Sequence, residues 1–313
     1  MIKTLLIGGA GFVGSYLISL LNNLGREVTV LGRKPLDQSH ISLNSNFSYI
    51  QGDFGNLDLI KSLLDTHQEV IHLAYATVPN TSFSDPLNDL LENLPPTVQL
   101  FLEAAARNVK VILISSGGTV YGTAAYLPID EQHATEPISP YGVTKLTLEN
   151  YAHLYSMTHG LQYICIRPAN AYGIGQRPFS GQGFISTAMA CMLRTEPVTV
   201  FGDGSTVRDY IHVADLARGI VAAIDKGKIS ETYNVGSGIG FTNLEVLDKI
   251  AALLGIDARE FQIKSLPARP FDVYQNVLSS AKLRMHTGWS PEVDFAAGLS
   301  ATRDWLIQQH WDR

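Results

Sequence analysis

Cysteine is almost missing from this chain: Cys165 and Cys191 are the only two among 313 residues. Neither sits in a CxxC pair or in a spaced cysteine–histidine set. That argues against a zinc site or a disulfide framework and for two reduced thiols in a cytoplasmic protein. Charge is also scarce at 17%, and 23 basic against 29 acidic residues leave a net charge of −6. A chain of that sign is not expected to bind nucleic acid or an anionic membrane, although a few placed arginines can still hold a small anion. No apolar run approaches the roughly 18 residues of a spanning helix. The apolar N-terminus is broken by Gly8, Gly9, Gly11 and Gly14 and lacks a small-residue cleavage site, so it does not read as a signal peptide. Repeats and low-complexity tracts are absent, and an apolar share of 45% excludes disorder.

What is present is an alternation of short apolar runs with helix-period segments. Residues 4–7, 28–31, 70–74, 109–115 and 163–166 read as buried strands, with helical stretches at 11–24 and 87–108 between them. Continuous apolar strands separated by helices predict an α/β fold with a doubly wound parallel sheet of the Rossmann type. After Arg167 the chain becomes rich in Gly and Pro, with helical segments near 185–194, 213–225, 243–254 and 295–309. The expected organisation is a dinucleotide-binding domain over 1–168 and a smaller C-terminal substrate domain over 169–313. A segment near 210–236, including Tyr233-Asn234-Val235, is expected to return to the first sheet.

Gly8, Gly11 and Gly14 follow the first strand directly and open the first helix with GxxGxxG spacing. Glycine is needed where the chain turns sharply, where backbone meets a pyrophosphate and where helix and strand pack closely. The helix N-terminus then offers free N–H groups and a favourable dipole to the phosphates. By itself the pattern is only a tight turn; in this order of elements it points to a dinucleotide. At the end of the second strand, where NAD sites usually carry an acid, the sequence reads Leu31-Gly32-Arg33-Lys34. Arg33 and Lys34 either attract the 2′-phosphate of NADP or form a solvated basic turn. Further on, Asp53 is placed to bond the adenine amine and Phe54 to pack near its ring.

Tyr141 and Lys145 lie four residues apart at a helix start after Pro140, so both occupy one helical face. An ammonium beside a phenol favours phenolate and is expected to lower the tyrosine pKa, and an oxidised nicotinamide adds to this. A tyrosine so tuned exchanges a proton with a sugar hydroxyl while hydride moves to the cofactor.

With GGAGFVGS, HLAYA, SSGGTVYG, SPYGVTK, RPANAYG, FGDGSTVRDYIHVADLA and Arg269-Pro270-Phe271-Asp272, the chain resembles the extended short-chain dehydrogenase/reductase family over nearly its whole length. Within it, the resemblance is to the UDP-glucose 4-epimerase-like nucleotide-sugar enzymes. It implies NAD(P) as cofactor, a UDP-linked sugar as substrate and a homodimer. Tyr141 becomes the acid/base, and Lys145 also holds the nicotinamide ribose. Phe12, Val13, Leu73, Ala74 and Pro168, inside these motifs, join the cofactor set. Asn170 takes the position that bonds the nucleotide diphosphate, Arg208 clamps that diphosphate, and Arg269 with Asp272 contacts phosphate and ribose. On the residues alone, Asp209 or Asp215 could instead hold Arg208 in a salt bridge, and Arg269 could cap a loop.

Two positions depart from the family pattern. The place four before Tyr121, where relatives carry a catalytic Ser or Thr, is Gly117, so Ser116 or Thr119 must bond the reacting hydroxyl. The second departure is the missing acid at Gly32. Relatives that dehydrate the sugar place Asp-Glu where this chain has Gly118-Thr119, so dehydration is not expected. The leading expectation is a UDP-hexose 4-epimerase working through a transient 4-keto sugar. The alternatives are an NADPH-dependent reductase of a nucleotide-linked 4-keto sugar and, less favoured, a non-catalytic nucleotide-sensing protein.

Overall fold

Strand β1 (Lys3–Ile7) buries four of its five side chains, and β2 (Glu27–Gly32), β4 (Glu69–His72), β5 (Lys110–Ile114) and β6 (Tyr163–Pro168) are as apolar. Strands covered on both faces must belong to a parallel sheet. In the computed structural model, which describes residues 2–36, 46–257 and 261–311, they do. Together with β3 (Phe47–Gln51) and β10 (Glu231–Val235) they form a seven-stranded sheet in the order β10-β6-β5-β4-β1-β2-β3. All six pairings are parallel. One face is packed by α1 (Phe12–Asn23) and α7 (Val213–Lys226), and the other by α2 (Leu57–Leu64), α4 (Pro86–Ala106) and α5 (Pro140–His159).

The strand order reverses direction between β1 and β4. In such sheets the crevice at the carboxyl ends of the strands, beside the reversal, is where ligands bind. Ile7 of β1 pairs with Leu31 on one side and His72 on the other. The turn after β1 and the segment after β4 therefore flank one opening, and the end of β2 borders it.

Helix α4 runs through two consecutive prolines, Pro95 and Pro96. Each lacks the N–H that would bond the carbonyl four residues back, so Leu91 and Glu92 lose their helical donors. The helix persists because Thr97, Leu100, Phe101 and Ala104 anchor its second half in the core. A short α3 (Pro79–Ser84), which the sequence reading does not anticipate, precedes it.

The strands outside the large sheet all follow Arg167. β9 (Val207–His212) pairs with β7 (Asn170–Tyr172), β11 (Gly240–Thr242) and β13 (Gln275–Asn276), while β8 (Val198–Phe201) pairs with β12 (Ile263–Leu266). Helices α6 (Phe184–Leu193), α8 (Asn243–Leu254) and α10 (Phe295–Gln308) close a separate core around them, and α9 (Ala281–Thr287) packs near α7 and β10. The Tyr233-Asn234-Val235 run is in β10, at the edge of the large sheet. Among the described residues no helix is long and apolar enough to cross a membrane, and no group of His, Cys, Asp and Glu could hold a metal ion.

Candidate active site

The glycine turn forms a cradle that side chains would fill. Gly8 has φ +82°, and a Cβ there would lie 2.8 Å from the Ala74 nitrogen. A Cβ on Gly14 would strike the Gly9 backbone. Gly11 is the N-cap of α1 and supplies no side-chain cap, so the first amides of the helix, from Phe12, Val13 and Gly14, are left for an external acceptor. Leu73 and Ala74 are fixed against this turn, both donating to the Ile7 carbonyl (2.9 and 3.0 Å). In front lies a cleft of about 1010 Å³ whose walls include Gly8, Gly11, Phe12, Arg33, Lys34 and Tyr49. Asp53, Phe54, Leu73, Ala74 and Tyr75 complete that side. Asp53 keeps one carboxylate oxygen on the Gly55 amide (2.8 Å), and Phe54 packs against the His72 ring with centroids 5.1 Å apart. Cradle, uncapped helix and cleft size fit a nicotinamide dinucleotide. Pro168 is not part of this wall; it contributes through its carbonyl, which accepts from the Gly117 amide at 2.9 Å.

Helix α5 is started by Ser139, whose hydroxyl accepts from the Gly142 amide at 3.1 Å, with Pro140 in the first turn. Lys145 is buried, donates to the Ile114 carbonyl at 2.8 Å and lies 3.9 Å from the Tyr75 ring centroid. The Tyr75 and Tyr141 rings meet edge to face at 4.8 Å. No hydrogen bond from the described residues engages the Tyr141 hydroxyl. Behind the pair, fully buried Asp89 accepts from Thr77 and, at 2.6 Å, from Thr144. The Tyr141 amide donates to Ser82 of α3 at 3.2 Å.

Electrostatics here run against the sequence expectation for Tyr141. Burial, with the Asp89 charge adding to it, pushes the Tyr141 phenol up, and burial pulls the Lys145 ammonium down to about 7. The Lys145 ammonium is turned to the Ile114 carbonyl, 5.7 Å from the Tyr141 ring centroid, so desolvation outweighs its attraction for a phenolate. The protein alone keeps the proton on Tyr141.

Gly117 is a packing requirement. A Cβ there would run into Leu278 and sit 3.0 and 3.1 Å from the Arg167 and Pro168 carbonyls, and Asn276 donates to the Gly117 carbonyl at 2.9 Å. The neighbouring Ser115 donates to Glu149, which forms a buried two-oxygen pair with Arg167. The two hydroxyls left belong to half-buried residues: the Thr119 Oγ1 itself is covered with no partner among the described residues, whereas the Ser116 hydroxyl is not so enclosed. Asn170 lies beside them, its Oδ1 3.2 Å from where a Gly118 Cβ would stand.

Arg208 lies on β9 and is not held by either nearby acid. Asp209 accepts from Ser237, Gly238 and Leu278, and Asp215 pairs with Arg218 and caps the Glu292 and Val293 amides. Among the described residues the Arg208 guanidinium bonds only the Val207 carbonyl (2.9 Å), and burial pushes it down, against the pull of Asp272. Arg269 pairs with Asp272 at 2.7 Å and lies 4.3 Å over the Phe201 ring. These two candidate ligand residues therefore satisfy each other. Their segment reaches the catalytic side through Phe271, which packs on Phe83 of α3 at 4.6 Å.

A family model described as the NAD dependent epimerase/dehydratase family matches residues 4–236. The chain belongs to that family. A UDP-glucose 4-epimerase of Mycolicibacterium smegmatis is 34% identical over 309 residues, covering 96% of this chain and 97% of the relative. A dTDP-glucose 4,6-dehydratase of Streptomyces niveus is 30% identical, over 97% and 92%. The crystal structure of Thermotoga maritima UDP-glucose 4-epimerase with UDP-glucose matches with a TM-score of 0.90 and 30% identity, over 99% of this chain and 100% of that one.

In this epimerase/dehydratase-family chain the structure also adds residues that the sequence reading passes over. Tyr75 lies inside HLAYA and Thr144 inside SPYGVTK, yet only the fold brings them to Asp89. Gln176 and Gln182, from the loop after β7, and Glu92 and Gln99 of α4 line the cofactor cleft. No local pattern marks them.

Proposed function

We propose that the protein is a UDP-hexose 4-epimerase that works through a transient 4-keto sugar. The observation that carries the reading is a Tyr141 hydroxyl with no hydrogen-bond partner among the described residues, beside buried Lys145 and near a cleft of dinucleotide size. Gly8, Gly11 and the first turn of α1 would hold the pyrophosphate, and Lys145 the nicotinamide ribose. When bound, NAD(P) supplies reversible hydride acceptance and, in its oxidised form, a positive charge near the phenol. Tyr141, as the phenolate that the positive charge of the oxidised cofactor would favour against burial, takes the proton from the sugar O4 and later returns it. Ser116, whose side chain stays partly open, is the group we assign to steady the reacting oxygen, with Thr119, whose Oγ1 is covered, second. Asn170 and unpaired Arg208 hold the diphosphate, and Arg269 and Asp272 open toward phosphate and ribose.

The chain is further proposed to pair with a second copy through α4 and α5. Leu87 and Leu90 on α4, and Val143, Leu154 and Met157 on α5, are exposed apolar side chains, and Leu90 and Val143 line an apolar recess of about 460 Å³. Reduction of a 4-keto sugar by NADPH is the second reading, favoured by exposed Arg33 and Lys34 on the cleft wall. Incubation with UDP-glucose or UDP-N-acetylglucosamine and no added cofactor tests the choice. Conversion to the galacto form without net absorbance change at 340 nm supports epimerisation. Stoichiometric NADPH oxidation on a 4-keto sugar, with no interconversion, installs the reductase.

A further inference from the structure

Gly32 ends β2 where an acid would bond the adenosine ribose, and the space its side chain would need is already taken. A Cβ on Gly32 would stand 2.6 Å from the Tyr49 hydroxyl and 3.3 Å from two of its ring carbons. Tyr49 comes from β3, two residues before Gln51, the register partner of Gly32. Its hydroxyl donates to the Lys34 carbonyl, and Gln51 Nε2 donates to the Arg33 carbonyl at 3.3 Å. Two side chains of β3 thus tie down the backbone of the Arg33-Lys34 turn from below. Both cationic side chains stay exposed on the cleft, and neither has an acidic partner among the described residues. Among the described residues, the charged side chains of the cleft wall are Arg33, Lys34 and Arg177 against Asp53 and Glu92. Asp53 already spends one oxygen on the Gly55 amide.

We propose that Tyr49 replaces the ribose-binding acid and makes the end of β2 a neutral seat, flanked by two cations, that selects a 2′-phosphorylated adenosine. The proposal rests on the cleft's being a dinucleotide site. A carboxylate there would repel a 2′-phosphate, whereas a phenol carries no charge to do so, and a guanidinium beside it forms charge-assisted bonds to the phosphate oxygens. The hydroxyl acts on the phosphate through the turn it holds, so Tyr49 is a positioning residue, and Arg33 and Lys34 are the contacts.

Calorimetric titration with NAD and with NADP, alongside thermal melting, tests this on the whole chain. The parent should bind NADP about tenfold more tightly than NAD. Arg33→Ala/Lys34→Ala should abolish that preference and leave the NAD affinity unchanged, and Tyr49→Phe should reduce it several-fold without lowering NAD affinity. Gly32→Asp should melt below the parent, and Gly32→Asp/Tyr49→Phe should regain part of that loss and prefer NAD. NADP affinity equal to or weaker than that for NAD overturns the proposal. So does a Tyr49→Phe variant with the parent's preference. A Gly32→Asp variant that melts with the parent while inverting selectivity on its own also overturns it. Binding of neither dinucleotide overturns the cofactor reading itself, an outcome distinct from binding with the wrong preference.

Discussion

Lys145→Met removes a buried ammonium while keeping most of the side-chain volume. Burial holds the Lys145 ammonium down at about 7 against its ordinary 10.5. Between those values the unfolded chain carries a proton that the folded chain does not. Stability therefore rises with pH across that window and gains nothing from this group below 7 or above 10.5. One proton is worth up to about 1.4 kcal/mol per pH unit. From pH 7.5 to 9.5 the parent should gain about 2–3 kcal/mol over Lys145→Met. The Tyr75 face, 3.9 Å away, favours the ammonium by about 0.5–2 kcal/mol and moves the onset upward without changing its sign. Urea unfolding of both cofactor-free proteins at pH 7.5, 8.5 and 9.5 gives the difference directly, since the other titrating groups are common to both. A stability difference that does not change with pH would refute the reasoning and mean that Lys145 stays charged when folded.

Tyr141→Phe should lose nearly all turnover yet bind cofactor and UDP-sugar as the parent does; undiminished kcat removes the acid/base assignment. Arg208→Ala should weaken UDP binding by roughly 2–4 kcal/mol in calorimetry with no change for NAD(P), and equal weakening of both would mark a folding role. Gly117→Ser should lower stability by about 1–3 kcal/mol through overpacking against Leu278 and the flanking carbonyls. A Gly117→Ser enzyme as stable as its parent and faster would show that the missing hydroxyl, not packing, limits that position. Glu149→Gln strands Arg167 without its buried carboxylate and should cost about 3–5 kcal/mol in chemical denaturation.

Local patterns made most of the large sheet legible because its inner strands bury both faces, so the apolar runs at 4–7, 28–31 and 163–166 needed no tertiary information. The glycine turn and the Tyr141–Lys145 spacing were equally local, since a strand-to-helix turn and one helical turn fix them. Helix α4 was read through its two prolines from its apolar period. What could not be read was set by contacts between distant segments. Gly117 is glycine because Leu278, more than 150 residues away, fills the space beside it. The raised Tyr141 phenol depends on burial and on Asp89, a helix-interior acid with no motif of its own. Arg208 gave a sequence ambiguity that only the hydrogen bonds of Asp209 and Asp215 resolve.

The paired prolines of α4 leave a crease in the wall of the cleft. Bending an ordinary helix breaks backbone bonds, but at Leu91 and Glu92 those bonds were never formed. On one side of the crease lie Asp89 and Asn93, which hold Thr144 of α5 and the Ala76 amide of the segment after β4. On the other side Leu100, Phe101 and Ala104 are locked under the sheet. Flexing α4 at the crease thus costs no backbone bond at Leu91 or Glu92. Asp89, on the first half of α4, is tied through Thr144 to the helix that carries Tyr141 and Lys145. The wall of the cleft and the seat of Tyr141 and Lys145 therefore share one element, creased where the chain gave up two hydrogen bonds in advance.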